Sequence, residues 1–199
     1  MRNITPSAHL RLNYFFSYLF ILLCFTFFSC EESNLIPKPE GQIRLTYPAN
    51  RYKKIENTLP FTFEKSIYAT TVLKDKNGWI NLNYPNLKAS IYISYYPINK
   101  NLNDLIKDTE KLTFDKHAVK ALEIKGQPFE NVEKNVYGTL FKLTGNTATN
   151  LQFYITDNTK HFINGSLYFK VKPNYDSLQP AIKYLEKDIK RIMETISWR

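Results

Sequence analysis

The sequence predicts an α+β fold: an antiparallel sheet of about six strands covered by two helices, in the order strands, helix, strands, helix. Three observations carry this reading. Stretches rich in Ile, Tyr, Thr and Val read as strands up to residue 96, with a clear period of two over 88–96, and strands return between 136 and 171. Between them the apolar spacing becomes helical, and a stronger helical stripe closes the chain. With 199 residues, 43% hydrophobic and 23% charged, the composition is that of an ordinary globular chain with one main domain.

The N-terminus reads as an export signal over residues 1–29. Arg2 and Arg11 give a basic start, and residues 12–28 are almost wholly apolar. Small Ser29 then precedes Cys30 at the expected cut. A thiol at that place can carry a diacylglycerol, so Cys30 is the expected lipid attachment site, with palmitate-type acylation of its amine. Cys24 fits less well, because bulky Leu23 precedes it. Either as a cleaved lipoprotein or as an uncleaved anchor, the body is expected outside the cytoplasm. Cleavage leaves residues 30–199 with 25 basic against 18 acidic residues, a net charge of +7. Residues 30–41 read as a lipidated tether, stiffened by Pro37 and Pro39 and spanning about 30 Å. Glu31 and Glu32 either direct lipoprotein sorting or only keep the tether solvated. A single α+β domain is expected over residues 42–199.

Strands are predicted at 43–47, 67–73, 79–83 and 88–96. In the last, Ala89, Ile91, Ile93 and Tyr95 alternate with Lys88, Ser90, Tyr92 and Ser94. Asn77-Gly78 and Tyr84-Pro85-Asn86 supply turns. A helix is predicted at 102–117, capped by Asn101 with Asp104, with Leu102, Leu105, Ile106, Thr109 and Leu112 on its inner face. Strands return at 136–143, 151–157 and 161–171, the last two joined by an Asp157-Asn158 turn. In the closing helix Leu178, Ala181, Ile182, Leu185, Ile189, Ile192, Met193 and Ile196 form the buried stripe. Lys183, Lys187, Lys190 and Arg191 lie mostly opposite. Asp176 with Gln179 resembles a capping pair, and Pro180 is assigned to the first turn.

Catalytic chemistry finds little foothold. The mature chain keeps no free thiol and two histidines, His117 and His161, too few for a zinc site without other ligands. His117 suits a helix C-terminus. Ser166, His161 and Asp157 could be grouped as a triad, but no nucleophile elbow surrounds Ser166. Asp104, Asp108 and Glu110 read as a solvated helix face. No catalytic residue, metal or cofactor is expected. Export argues against nucleic acid as partner. The basic surface either faces anionic headgroups or is ordinary solubility charge. Tyr92, Tyr96, Tyr154 and Tyr168 either line an exposed sheet face suited to protein contacts or pack under a helix. Tyr154 and Tyr168 are the chosen interaction-surface candidates.

Several segments carry a family likeness. They are Pro37-Lys38-Pro39, Tyr47-Pro48, Pro60-Phe61-Thr62-Phe63-Glu64, residues 152–157, Gly165-Ser166-Leu167-Tyr168-Phe169 and Pro173-Asn174-Tyr175-Asp176-Ser177. Over about residues 36–199 the chain resembles the gliding-motility lipoproteins GldD of the Bacteroidetes. The resemblance implies a non-enzymatic, lipid-anchored accessory of gliding and of type IX protein secretion. It also implies a periplasm-facing location, outer membrane before inner, and envelope proteins as partners. A periplasmic binding module for a glycan or lipid headgroup is the alternative. The family pattern has a Cys before Pro-Phe and another before Trp, where this chain has Leu59 and Gly78. If that pair forms a disulfide in relatives, both halves are absent here. The element order is also similar to PsbP-like domains, an analogy of fold alone.

Overall fold

Two antiparallel meanders share one sheet. The computed structural model describes residues 46–56, 58–73, 78–117 and 119–199. The signal, Ser29, Cys30 and the tether lie outside the described residues. The first meander is β4 (Thr70–Leu73), β5 (Ile80–Tyr84) and β6 (Ala89–Pro97). The second is β7 (Glu123–Asn131), β8 (Val136–Thr144), β9 (Thr149–Thr156) and β10 (His161–Phe169). The order across the seven-stranded sheet is β4-β5-β6-β10-β9-β8-β7. Helix α1 (Leu102–His117) carries the chain from central β6 to the far edge at β7. Helix α2 (Tyr175–Thr195) follows β10. Short pairs complete the body: β1 (Tyr52–Lys54) with β3 (Glu64–Ser66), and β2 (Phe61–Thr62) with β11 (Ser197–Trp198). The α+β class and element order are as the sequence predicts. The main sheet has one strand more.

The helices cover opposite faces. On β8 and β9, Leu140 and Phe153 share the core cluster with Leu185, Ile189 and Ile192 of α2. Their strand neighbours point the other way. There Gln152 accepts a hydrogen bond from Thr113 Oγ1 of α1 at 2.6 Å, and Phe141 meets Phe114 edge-on at 6.0 Å. The α2 side is the main core: Ile80, Leu82, Ile91, Ile155 and Leu167 are fully buried. The ring of Phe153 lies across Gly165, where any Cβ would collide with it. The core runs from Ile55 to Ile196, so the described body carries its own hydrophobic interior.

Several local expectations need correction. Residues 46 and 47 belong to no strand, and the rest of the 43–47 segment lies outside the described residues. The segment 67–73 is a turn followed by β4. Leu112 is 44% exposed, and Thr109 and Thr113 are the buried residues of α1, their hydroxyls satisfied by Leu105 O and Thr109 O. Asn101 does precede the helix as expected, its carbonyl accepting from Leu105 N, but its Oδ1 accepts from Asn99 N rather than closing a box with Asp104. The cap of α2 is Asn174, whose Oδ1 accepts from Ser177 N at 3.3 Å. Asn174 displaces the Asp176–Gln179 pair, and Pro180 therefore lies inside the helix, beyond the first turn. Strand β7 was not foreseen. Its Gly126, Pro128 and charged residues break the apolar alternation, which an edge strand tolerates because only one side is paired. Gly78 has φ +92, and a Cβ there would sit 2.9 Å from Tyr95 Cβ. That backbone favours glycine and explains why a side chain is unwelcome at this position. Leu59 is buried in the core.

Candidate functional site

The face of the sheet beneath α1 is only partly covered. The helix crosses β10 and β9, and beside it Val72 and Tyr92 of that face stay exposed while Asn81 and Ser90 are buried. Register puts Val72, Asn81, Tyr92 and Ser166 in one row there. Tyr168 is 36% exposed and meets Tyr92, 38% exposed, edge-on at 5.6 Å. Burial raises the pKa of the Tyr168 phenol, as does neighbouring Tyr92. Tyr154 is half-buried in an aromatic stack. Its ring lies 5.6 Å from that of Phe162 at 15° and 6.3 Å from Phe141, and its hydroxyl accepts from Thr139 Oγ1. The two candidate tyrosines thus share a face but differ in setting: Tyr168 presents an edge to solvent and Tyr154 is mainly packing.

The residues that could be grouped as a triad are not assembled as one. His161 and Ser166 sit an odd number of residues apart on β10, so their side chains leave opposite faces. His161 belongs to the α2 side, with Nδ1 2.9 Å from Tyr95 Oη and its ring stacked on Trp198 at 5.1 Å. Ser166 belongs to the other side, opposite Tyr92 and Gln152. Asp157 closes the β9–β10 turn, where Asn158 takes φ +63. Its Oδ1 accepts from the backbone N–H groups of Thr159, Lys160 and His161 at 2.8–3.0 Å. Burial would raise its pKa, but those amides outweigh it and hold the carboxyl below its usual range. His117 is the last residue of α1.

The most unusual polar group lies elsewhere. Asp188 of α2 is 1% exposed, and its Oδ1 accepts from Asn50 Nδ2 at 3.0 Å. The hydroxyls of Tyr84, Tyr52 and Ser66 stand around the carboxyl and favour its charge, as does Asn50, yet burial outweighs them and its pKa is raised. Its Oδ2 and Tyr84 Oη complete no well-aligned hydrogen bond among the described residues. The phenols of Tyr84 and Tyr52 are pushed up by burial and by the Asp188 charge. One turn earlier, Tyr184 stacks on Tyr47 at 4.8 Å and 17°. One turn later, Arg191 lies 5.5 Å over the Tyr52 ring and binds Glu64 Oε2 through Nε and Nη2 at 2.9 and 2.6 Å. Together these contacts latch residues 47–52, the start of the described body, onto α2. The sequence reading missed the cluster. Tyr184 and Asp188 fall at helical spacing from Ala181, Leu185 and Ile192, and that spacing is the signal that puts both inside.

The latch has a pH signature. Because the folded pKa of Asp188 is raised, the folded state binds its proton more tightly than the unfolded chain does. Asp188 therefore favours folding least above its folded pKa, and the penalty disappears as pH falls below the unfolded value. Asp188→Asn removes this dependence. The stability of wild type minus that of the variant will rise as pH is lowered from 7 toward 4, by about 1.4 kcal/mol for each unit of pKa elevation. Glu186 and Asp157, with lowered pKa values, act oppositely but cancel in the difference. Urea midpoints of the two proteins at each pH give the answer; a difference independent of pH would show Asp188 to be unperturbed.

Among the described residues no helix is long and apolar enough to cross a membrane. A search of curated proteins finds no match. A family model does match, that of the gliding motility lipoprotein GldD, over residues 32–198. That stretch begins just past Cys30 and takes in every strand and both helices described above. The chain is a member of the gliding motility lipoprotein GldD family.

Proposed function

We propose that this protein is a lipid-anchored, non-enzymatic accessory of gliding motility and of the associated type IX secretion machinery, working through protein contacts in the envelope. The match to a gliding-motility lipoprotein family over residues 32–198 carries the reading. Membrane attachment is through lipid on Cys30 after cleavage behind Ser29, with the body facing the periplasm, at the outer membrane in preference to the inner. The non-enzymatic part is supported by the separation of His161 from Ser166 on opposite faces and by the occupation of Asp157 Oδ1 by three amides. The contact part is supported by the exposed Tyr92–Tyr168 pair, since half-exposed aromatic side chains are favoured at protein interfaces.

The test is complementation of a deletion strain, scored by colony spreading and secreted protein, with each variant's abundance checked by immunoblot. His161→Gln and Ser166→Ala will support both functions when present at normal level. Tyr168→Glu will impair them by burying a charge in any partner interface. Complete loss of function in a stable, abundant Ser166→Ala or His161→Gln protein would overturn the non-enzymatic reading.

A further inference from the structure

The latch between the N-terminal segment and α2 is flanked by cations. Asn50 is bonded to Asp188, and their chain neighbours Arg51 and Lys187 are exposed. Tyr47 is stacked on Tyr184, and Lys183 beside it is exposed. Lys54 of β1 is exposed and lies two residues from Tyr52, on the strand side that faces Arg191. None of these four is in an ion pair with a described residue. Most acids around them are engaged or lie apart, and Glu56, exposed two residues from Lys54, is the one carboxylate among the described residues that reduces the positive excess. Glu186 is bridged by Lys142 at 2.6 Å and Lys190 at 2.9 Å, Glu64 by Arg191, and Asp188 is buried. Asp176 and Glu194 sit near the two ends of α2.

The place of this surface gives it a partner. The chain reaches the described body at Thr46, one residue before the latch. Only 15 residues separate Cys30 from Thr46, a reach of about 50 Å at full extension. An acyl chain on Cys30 therefore holds the body near a bilayer from a point beside these four cations. We propose that Arg51, Lys54, Lys183 and Lys187 form a membrane-facing surface that binds the anionic phospholipid headgroups of the bilayer carrying the anchor. The inference rests on the lipoprotein reading for its geometry. Its physical basis is the attraction of clustered Lys and Arg to a negative lipid surface, which falls off within a Debye length. The short tether confines the body to about 50 Å from the bilayer, so it meets the surface often and the short-range attraction then holds it there. The surface orients α2 toward the membrane and leaves the α1 side, with Tyr92 and Tyr168, turned away from it.

The experiment uses the lipid-free chain Glu31–Arg199, which retains the whole described core. Co-sedimentation is measured with vesicles of phosphatidylcholine alone and with 30% phosphatidylglycerol. Binding should be at least about tenfold tighter to the anionic vesicles at 50 mM salt and be lost at 500 mM. Arg51→Glu, Lys54→Glu, Lys183→Glu and Lys187→Glu combined should weaken it at least about tenfold, while Lys107→Glu with Lys111→Glu on α1 should leave it unchanged. Circular dichroism confirms that each variant is folded. Equal binding by wild type and the fourfold variant, equal binding to both vesicle types, or the same loss from the α1 variant would each overturn the proposal. None of these readouts depends on acylation, so failure here is distinct from failure of lipid attachment, which fatty-acid labelling reports.

Discussion

Leu185→Ala will destabilise the protein by about 2–5 kcal/mol and lower its Tm by roughly 5–15 °C. Leu185 is fully buried at the centre of the α2 stripe, with Ala181, Ile182, Ile189 and Ile192 around it on the same face. The side chain lies in the cluster that also holds Phe153, Ile155 and Leu140 of the sheet. Truncation removes the transfer free energy of three carbons and leaves a cavity that a sheet bonded on both sides cannot collapse to fill. Lys187→Ala, two residues on and exposed, provides the control and will change stability by no more than about 0.5 kcal/mol. Urea or thermal unfolding of the two variants decides the matter. Equal, small effects would mean that α2 does not hold the core together.

Cys30→Ser will abolish fatty-acid incorporation. The diacylglycerol is carried by a thioether, and a serine hydroxyl is a far poorer nucleophile than a thiolate for that transfer. Cys24 cannot substitute, since Leu23 stands where a small residue is required. The measurement is metabolic labelling with a fatty-acid analogue, followed by fractionation of the envelope. The serine variant will carry no label and will leave the detergent-soluble membrane fraction, because acyl chains contribute about 0.8 kcal/mol for each buried methylene. Label retained on the variant would refute lipid attachment at this residue.

Strong periodicity made much of the architecture legible. The α1 boundaries, strands β5, β6, β8, β9 and β10, the Asp157-Asn158 turn and the α2 stripe all follow from residues close in sequence. What escaped was set by distant partners. Strand β7 has no apolar alternation of its own and becomes a strand because β8 offers it a ladder of nine paired residues. The pairs β1–β3 and β2–β11 are too short to show a period, and the second joins segments about 135 residues apart in the chain. Leu112 looked like a core residue of α1, but the sheet beneath presents Gln152, and Thr113 is the side chain that bonds its Oε1.

The candidate site divides in the same way. Sequence by itself determined the family, the lipid-site cysteine as an expectation, the basic excess and the aromatic candidates, because each is a property of residue type and local order. It also offered His161, Ser166 and Asp157 as neighbours in the chain. Tertiary structure decided that the first two leave β10 on opposite faces, since a strand alternates its side chains. It decided too that Asp188 is an interior group held by Asn50, 138 residues away, and ringed by hydroxyls from three strands. A carboxylate's environment is made by whatever packs against it. Here those partners come from residues 50–84 and reach the carboxylate only when α2 settles on the sheet.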